Sequence, residues 1–484
     1  MKYEGNRRAA NDKLKSGSYL GQIYNYDDIE SDLGNEEYLR VEEKGYQSVL
    51  RNPLSTFAAD VDTASYSNLR RMLSEGHSIY GLPEGSVRIE ELINYFDYDY
   101  RGPKGSEPFG VNAELSDCPW NKEAKLLSVG LKTEDIDYKA APSSNLVFLI
   151  DVSGSMDDYN KLPLLQDAFA MLTEELSDKD RVSIVTYSSG VETVIAGVSG
   201  NNKTKILKAI RGLNASGGTN GGKGIQVAYD LAEEFFINGG NNRVILATDG
   251  DLNLGLTSVE ELEELITLKK ESGVYLSVLG FGTGNLKDNK LETLADKGNG
   301  NYSYIDCEKE AQKVLVEELG ANLLTVCKDV KLRVEFNPAY VEGYRLLGYA
   351  NRTMKNKDFN DDTKDGGEIG AGHKVTVLYE LILKNSCKKG NGNELLTLSI
   401  RYKKPSEDRS QLLAYPIDYD IYTQNPSEDF IFKQAVAEFG LIASGSEYMG
   451  TSDIEDVLEL LSRIRIRDEY KSEFKDMVET AARY

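Results

Sequence analysis

Histidine is almost absent: His77 and His373 are the only two in 484 residues. That nearly excludes a histidine-rich metal site, and a Ser-His-Asp hydrolase would have to be built on one of the two. Cysteine is also scarce. Cys118, Cys307, Cys327 and Cys387 form no CxxC pair, so a zinc knuckle is not expected. Four thiols in a chain this long make no disulfide scaffold, although a single bridge stays open. No apolar run approaches the ~20 residues that span a bilayer; the longest clean ones, such as Leu146 to Ile150, have strand length. The first residues, MKYEGNRRAANDK, lack the hydrophobic segment of a secretory signal, so either the protein is cytosolic or an export signal lies outside this sequence. Basic charge is in deficit, with 56 Lys and Arg against 79 Asp and Glu, a net of -23. That argues against nucleic acid as main partner and against an anionic membrane surface. Proline is rare (11), and the 44 glycines sit at turn-like spots without a repeat, which removes the collagen-like and low-complexity classes.

What is present is a succession of differently patterned blocks. Residues 1–50 are polar, acidic and dotted with tyrosine, and read as a flexible tether. Residues 51–142 read as an N-terminal domain: a short strand at Phe57–Val61, helices carrying Tyr66, Leu69 and Met72 and then Val87 to Phe96, and two strands, VNAELS and LLSVGL. From 143 to 326, apolar β-branched runs (NLVFLID, VSIVTY, RVILATD, VYLSVLGFG) alternate with amphipathic helices. That pattern predicts an α/β domain with a doubly wound, mainly parallel sheet covered on both faces. Residues 327–426 return to strands, and 427–484 read as helices. The strands on either side of the α/β section are alike in character. We therefore expect one β-sandwich with the α/β domain inserted into it.

The chemistry concentrates at Asp151-Val-Ser153-Gly-Ser155, directly after the strand LVFLI. In an open α/β sheet, ligands sit beyond the carboxyl ends of the strands. Two more oxygens are expected from neighbouring strand ends: Thr219 in the glycine-rich SGGTNGGKG and Asp249 closing RVILATD. Carboxylates and hydroxyls are hard ligands suited to Mg2+ or Mn2+ rather than zinc. At this point the sequence resembles the von Willebrand factor A domain and its metal-ion-dependent adhesion site. DxSxS is complete at Asp151, Ser153 and Ser155, and the separate threonine and aspartate match Thr219 and Asp249. The resemblance implies a Mg2+ ion (Mn2+ or Ca2+ as alternatives) whose sixth position takes an Asp or Glu from a protein partner. It also implies a switch through the last helix, Glu310 to Thr325. The flanks NPLSTFAADVDTASYSNLRRML, VRIEELINYFDYDY and FNDDTKDGGEIGAGHKVTVLYEL resemble the bacterial YfbK-like proteins. That likeness implies an exported, cell-surface lipoprotein, anchored through a lipidated cysteine that this chain lacks.

Other motifs carry less. Asp60-Val-Asp62-Thr63 has the spacing of a phosphatase DxDxT, but it also fits a strand end followed by a helix cap. Asp157 and Asp158 read as a solvated acidic turn, with a second regulatory cation as the alternative. Asn360, Asp361, Asp362, Asp365 and Glu368 lie in an acidic loop without EF-hand spacing, a weak calcium candidate. Lys223 lacks the P-loop spacing. No histidine falls between 143 and 326, so no base of that type stands near the metal. The expectation is a metal-dependent binding or adhesion module rather than an enzyme. The alternative is an intracellular A-domain partner of an AAA+ ATPase in a chelatase-like assembly.

Overall fold

The computed structural model describes residues 33–40, 42–59, 62–135, 142–218, 222–250, 259–319, 324–390, 393–405 and 407–483, with backbone alone at 222 and 259–261. The N-terminal part contributes β1 (Gln47–Ser48), β2 (Leu54–Ala58), helices α1 (Ala64–Ser74) and α2 (Ile89–Asn94), and strands β3 (Gly110–Asp117) and β4 (Lys125–Lys132). The α/β unit follows. It runs β5 (Ser144–Asp151), α3 (Leu162–Glu175), β6 (Arg181–Tyr187), β7 (Val191–Ser199), α4 (Lys203–Arg211) and α5 (Gly222–Glu234), then β8 (Asn241–Thr248), α6 (Val259–Glu271), β9 (Val274–Phe281), α7 (Asp288–Lys297), β10 (Tyr302–Ile305) and α8 (Glu308–Gln312). The remaining strands are β11 (Thr325–Phe336), β12 (Val341–Leu347), β13 (Gly367–Gly370), β14 (Lys374–Leu383), β15 (Glu394–Lys403) and β16 (Gln411–Asp418). Three helices close the chain: α9 (Glu428–Ala443), α10 (Ile454–Ser462) and α11 (Glu469–Ala481).

The α/β sheet has the order β10-β9-β8-β5-β6-β7. Its first five strands are mutually parallel. All eight residues of β5 are buried, as a central strand with helices on both faces requires. One face is packed by α3, Ile206 and Ile210 of α4, and Ala311 to Leu319. The other is packed by α5, Ile266 of α6 and Leu291 and Leu294 of α7. β7 was not expected. It is an antiparallel edge strand on β6, and its polar, half-exposed residues hid it from the apolar pattern.

Strands from both sides of this unit share one sheet, of order β1-β12-β14-β4-β3. β4 pairs antiparallel with β14, from Lys132↔Lys374 to Lys125↔Leu381. A second sheet joins β13, β11, β15 and β16, with β2 also on β11. Phe57, Leu127, Val334, Phe336, Tyr379 and Leu398 are buried in the shared core. The α/β unit is therefore inserted into a β-sandwich. Helices α1, α2, α9, α10 and α11 form a further apolar cluster against Leu126, Leu347 and Leu378 of the first sheet.

Three expectations need correction. The described part of residues 33–50 is no loose tether: β1 pairs with β12, and Glu36 accepts from Arg71 at 2.8 Å in a buried ion pair. Residues 1–32 lie outside the described residues. The final helix of the α/β unit does not run to Thr325. α8 passes into a π-helical turn at Lys313–Glu317, and Thr325 already opens β11. The first strand is Leu54–Ala58, and Asp60 and Val61 lie outside the described residues. All four cysteines are free. Among the described residues, no helix is long and apolar enough to cross a membrane.

Candidate metal centre

β5 ends at Asp151, and the chain turns at once into a short 3-10 helix, Gly154–Asp157, with Ser153 extended just before it. That turn sets the two serine hydroxyls side by side, Oγ to Oγ 3.0 Å. The Ser153 backbone N–H donates to Asp151 Oδ1 at 2.8 Å, holding the carboxylate towards its own loop. The loop after α4 closes over this turn. Ser216 donates to the Val152 carbonyl at 2.8 Å, and the Gly154 N–H donates to the Gly217 carbonyl at 3.0 Å. Gly217, at φ +81°, also packs against the neighbouring loop, where a Cβ would lie 2.6 Å from Ser189 Oγ. Thr219 follows two residues later but lies outside the described residues. Asp249 comes from the end of the adjacent strand, where β5 and β8 are paired up to Ile150↔Ala247. Asp151, Ser153 and Asp249 are buried, and Ser155 is exposed. The cluster therefore has one hydroxyl at its open side.

The electrostatics are those of an anionic pocket. Burial pushes the Asp151 carboxyl up to about 6, the Ser153 hydrogen bond pulls against that, and Asp249 pushes it further up. Two residues that sequence reasoning passed over complete the cluster. Thr248 lies 3.4 Å from Asp151 Oδ2. Lys161 is 5% exposed and brings its ammonium 3.1 Å from Asp249 Oδ2 and 2.8 Å from the Ser155 carbonyl. Its stem runs across Gly282 (φ +72°), where any Cβ would sit 2.4 Å from Lys161 Cε and Cγ. The signal that could have exposed Lys161 was a lysine six residues after Ser155, directly before the apolar first turn (Leu162, Leu164, Leu165) of an amphipathic helix.

The donor set fits a small hard cation. Mg2+ holds oxygens at ~2.0–2.1 Å in an octahedron, which puts neighbouring ligands about 2.9 Å apart. The serine pair already has that spacing. Among the described residues no group of three or more His, Cys, Asp or Glu converges on a metal position. The acidic loop is committed elsewhere. Asp361 accepts from Thr363, Asp362 from Arg401 and Asp365 from Lys270, while Glu368 accepts from Asn299. Asp62 is buried, accepts from the Tyr302 N–H at 2.8 Å and pairs with Arg352 at 3.0 Å, which is a structural role. Asp157 and Asp158 are exposed, and Lys161 lies 3.6 Å from Asp158.

Family models match along most of the chain: von Willebrand factor over residues 32–128, the von Willebrand factor type A domain over 145–318, and the C-terminal region of YfbK over 321–484. The protein YfbK of Escherichia coli K12 is 40% identical over 472 residues, covering 93% of this chain and 81% of its own. The chain belongs to the YfbK family. A second relative in sequence is the uncharacterized protein sll0103 of Synechocystis, 24% identical over 332 residues, covering 66% of this chain and 76% of its own. Among solved structures, a von Willebrand factor type A protein from Catenulispora acidiphila covers 79% of this chain and 91% of its own, at 15% identity and a TM-score of 0.45. The YfbK-family chain thus carries a type A domain, a module that generally mediates metal-dependent protein interaction.

Proposed function

We propose that this protein is a metal-dependent protein-binding module. Asp151, Ser153, Ser155, Thr219 and Asp249 hold Mg2+, and a partner's Asp or Glu completes the coordination. The observation that carries this reading is the pair of serine hydroxyls 3.0 Å apart beside a buried carboxylate at the carboxyl edge of the sheet. The ion adds positive charge to a cluster whose two carboxylates outweigh the single Lys161 ammonium, so an incoming carboxylate is attracted to a site that would otherwise repel it. The chain's own groups hold the hydroxyls in register and keep Asp151 turned towards them. A surface location, anchored through a lipid, belongs to the same proposal by family likeness, and fractionation of cells expressing the full gene tests it.

Titration of MgCl2 or MnCl2 by calorimetry tests the site directly. Asp151→Ala should abolish binding while the melting temperature in EDTA is retained. The native protein should gain about 2.7 kcal/mol of stability at a hundredfold excess of metal over Kd. Equal metal binding by Asp151→Ala would overturn the reading.

A further inference from the structure

A groove begins where the metal loop ends. It is a cavity of about 750 Å3 between β7 and α4, within the ~300–1,000 Å3 range of clefts that hold ligands. Val152, which sits between Asp151 and Ser153, and Ser216, hydrogen-bonded to it, line its near end. The floor is apolar, formed by Val194, Ile195 and Leu213 with Val152.

Its wall is cationic, against the sign of the whole chain. Lys205 and Lys208 of α4 line the groove and are exposed. Neither has an ion-pair partner among the described residues. The other cations of α4 are committed: Lys203 donates to the carbonyls of Leu176 at 2.6 Å and Glu174 at 3.0 Å, and Arg211 pairs with Asp167 at 2.6 Å. Lys205 stands in the first turn of a helix that has no acidic residue there, where the helix dipole disfavours a cation. Helix stability therefore does not explain it. One carboxylate, Glu192 of β7, lies at the same groove.

We propose that this groove takes the part of the partner that flanks the metal-bound carboxylate. That part is an extended peptide segment with an apolar side chain for the floor and a second acidic residue for Lys205 and Lys208. The inference rests on the metal reading above and names the chemistry of its partner. Exposed ion pairs of this kind add little affinity each, but they fix the register of the segment and exclude basic sequences.

The probe is a random linear peptide library displayed on phage, panned on the immobilised full chain in MgCl2 and eluted with EDTA. Wild-type selections should share an Asp or Glu followed by an apolar residue and a second acid. Synthetic peptides from that selection should bind Lys205→Glu/Lys208→Glu about tenfold more weakly by fluorescence polarisation. This variant should keep its melting temperature and its affinity for Mg2+ alone, and the milder Lys205→Gln/Lys208→Gln should fall in between. Selections on the charge-reversed chain should lose the second acid. Unchanged affinity and sequences after charge reversal would overturn the groove while leaving the metal reading intact, and so would Mg2+-dependent peptides without acidic preference. Failure to elute any Mg2+-dependent peptide would overturn the groove as well. Peptides that bind wild type and Asp151→Ala equally would instead overturn the metal reading.

Discussion

Lys161 sets an ammonium among the oxygens that a divalent ion would share. Asp249 is its carboxylate partner, at 3.1 Å and with both side chains almost wholly buried. Lys161→Met keeps most of the stem that packs across Gly282 and removes only the charge. Asp249 is then left buried without its cation, a change that costs about 3 kcal/mol in comparable pairs. We expect the EDTA-treated variant to be less stable in urea by that order, and its gain on adding MgCl2 to exceed that of wild type. Equal increments in the two proteins would show that Lys161 and the metal do not share one field. The turn from Asp151 to Ser155 was legible because DxSxS needs only a strand end and a tight turn, both local. Lys161 and Thr248 were not, because each matters through a neighbour far away in sequence.

Helix α9 is buried around nearly its whole circumference, Lys433, Gln434 and Glu438 included. Its even hydrophobicity is that of a helix inside a bundle rather than on one. Glu438 bears a cost for this. Burial pushes its carboxyl up to about 7, Ser452 donates to one oxygen, and Oε2 has no hydrogen-bond partner among the described residues. An unfolded Glu titrates near 4.3, so between those values the native state binds more protons and stability falls as pH rises through about 4.5 to 7. Glu438→Gln cannot ionise and should match wild type near pH 4. By pH 8 it should exceed wild type by roughly 3–4 kcal/mol, read from urea midpoints across pH. A constant offset at every pH would sink this account. Among the elements, the parallel strands were legible because two-sided burial writes continuous apolar runs, as in β5. β7 was not, because an edge strand is partly wet and its Glu192 and Thr193 face solvent. The ordered stretch after residue 32 was equally hidden, since Glu36 and Gln47 are fixed by Arg71 and β12 rather than by their own hydrophobicity.

At the scale of the whole molecule, the inserted α/β unit is fastened to the rest by arginines that are buried or nearly so. Arg70 of α1 meets Glu310 of α8 at 2.8 Å and Glu473 of α11 at 2.6 Å, so three separate parts of the chain share one guanidinium. Arg88, at the start of α2, is 4% exposed at its side chain and faces Glu91 of its own helix, Asp288 at 2.6 Å and Glu292 at 3.7 Å, the last two on α7. Ser67 of α1 also donates to the Tyr304 carbonyl of β10 at 2.7 Å, so packing and polar contacts coincide at this junction. Arg88→Met fills a similar volume but leaves three buried carboxylates without that cation, and breaking buried pairs of this kind costs about 3–5 kcal/mol. The loss falls on the junction and not on either core, because Leu291 and Leu294 still pack on the sheet and Leu92 still packs in the helical cluster. Scanning calorimetry should therefore show one transition for wild type and two for Arg88→Met, with the α/β transition alone moving upward when MgCl2 is added. A single, slightly lowered transition in the variant would mean that apolar packing, not the arginines, couples the metal-bearing unit to the sandwich.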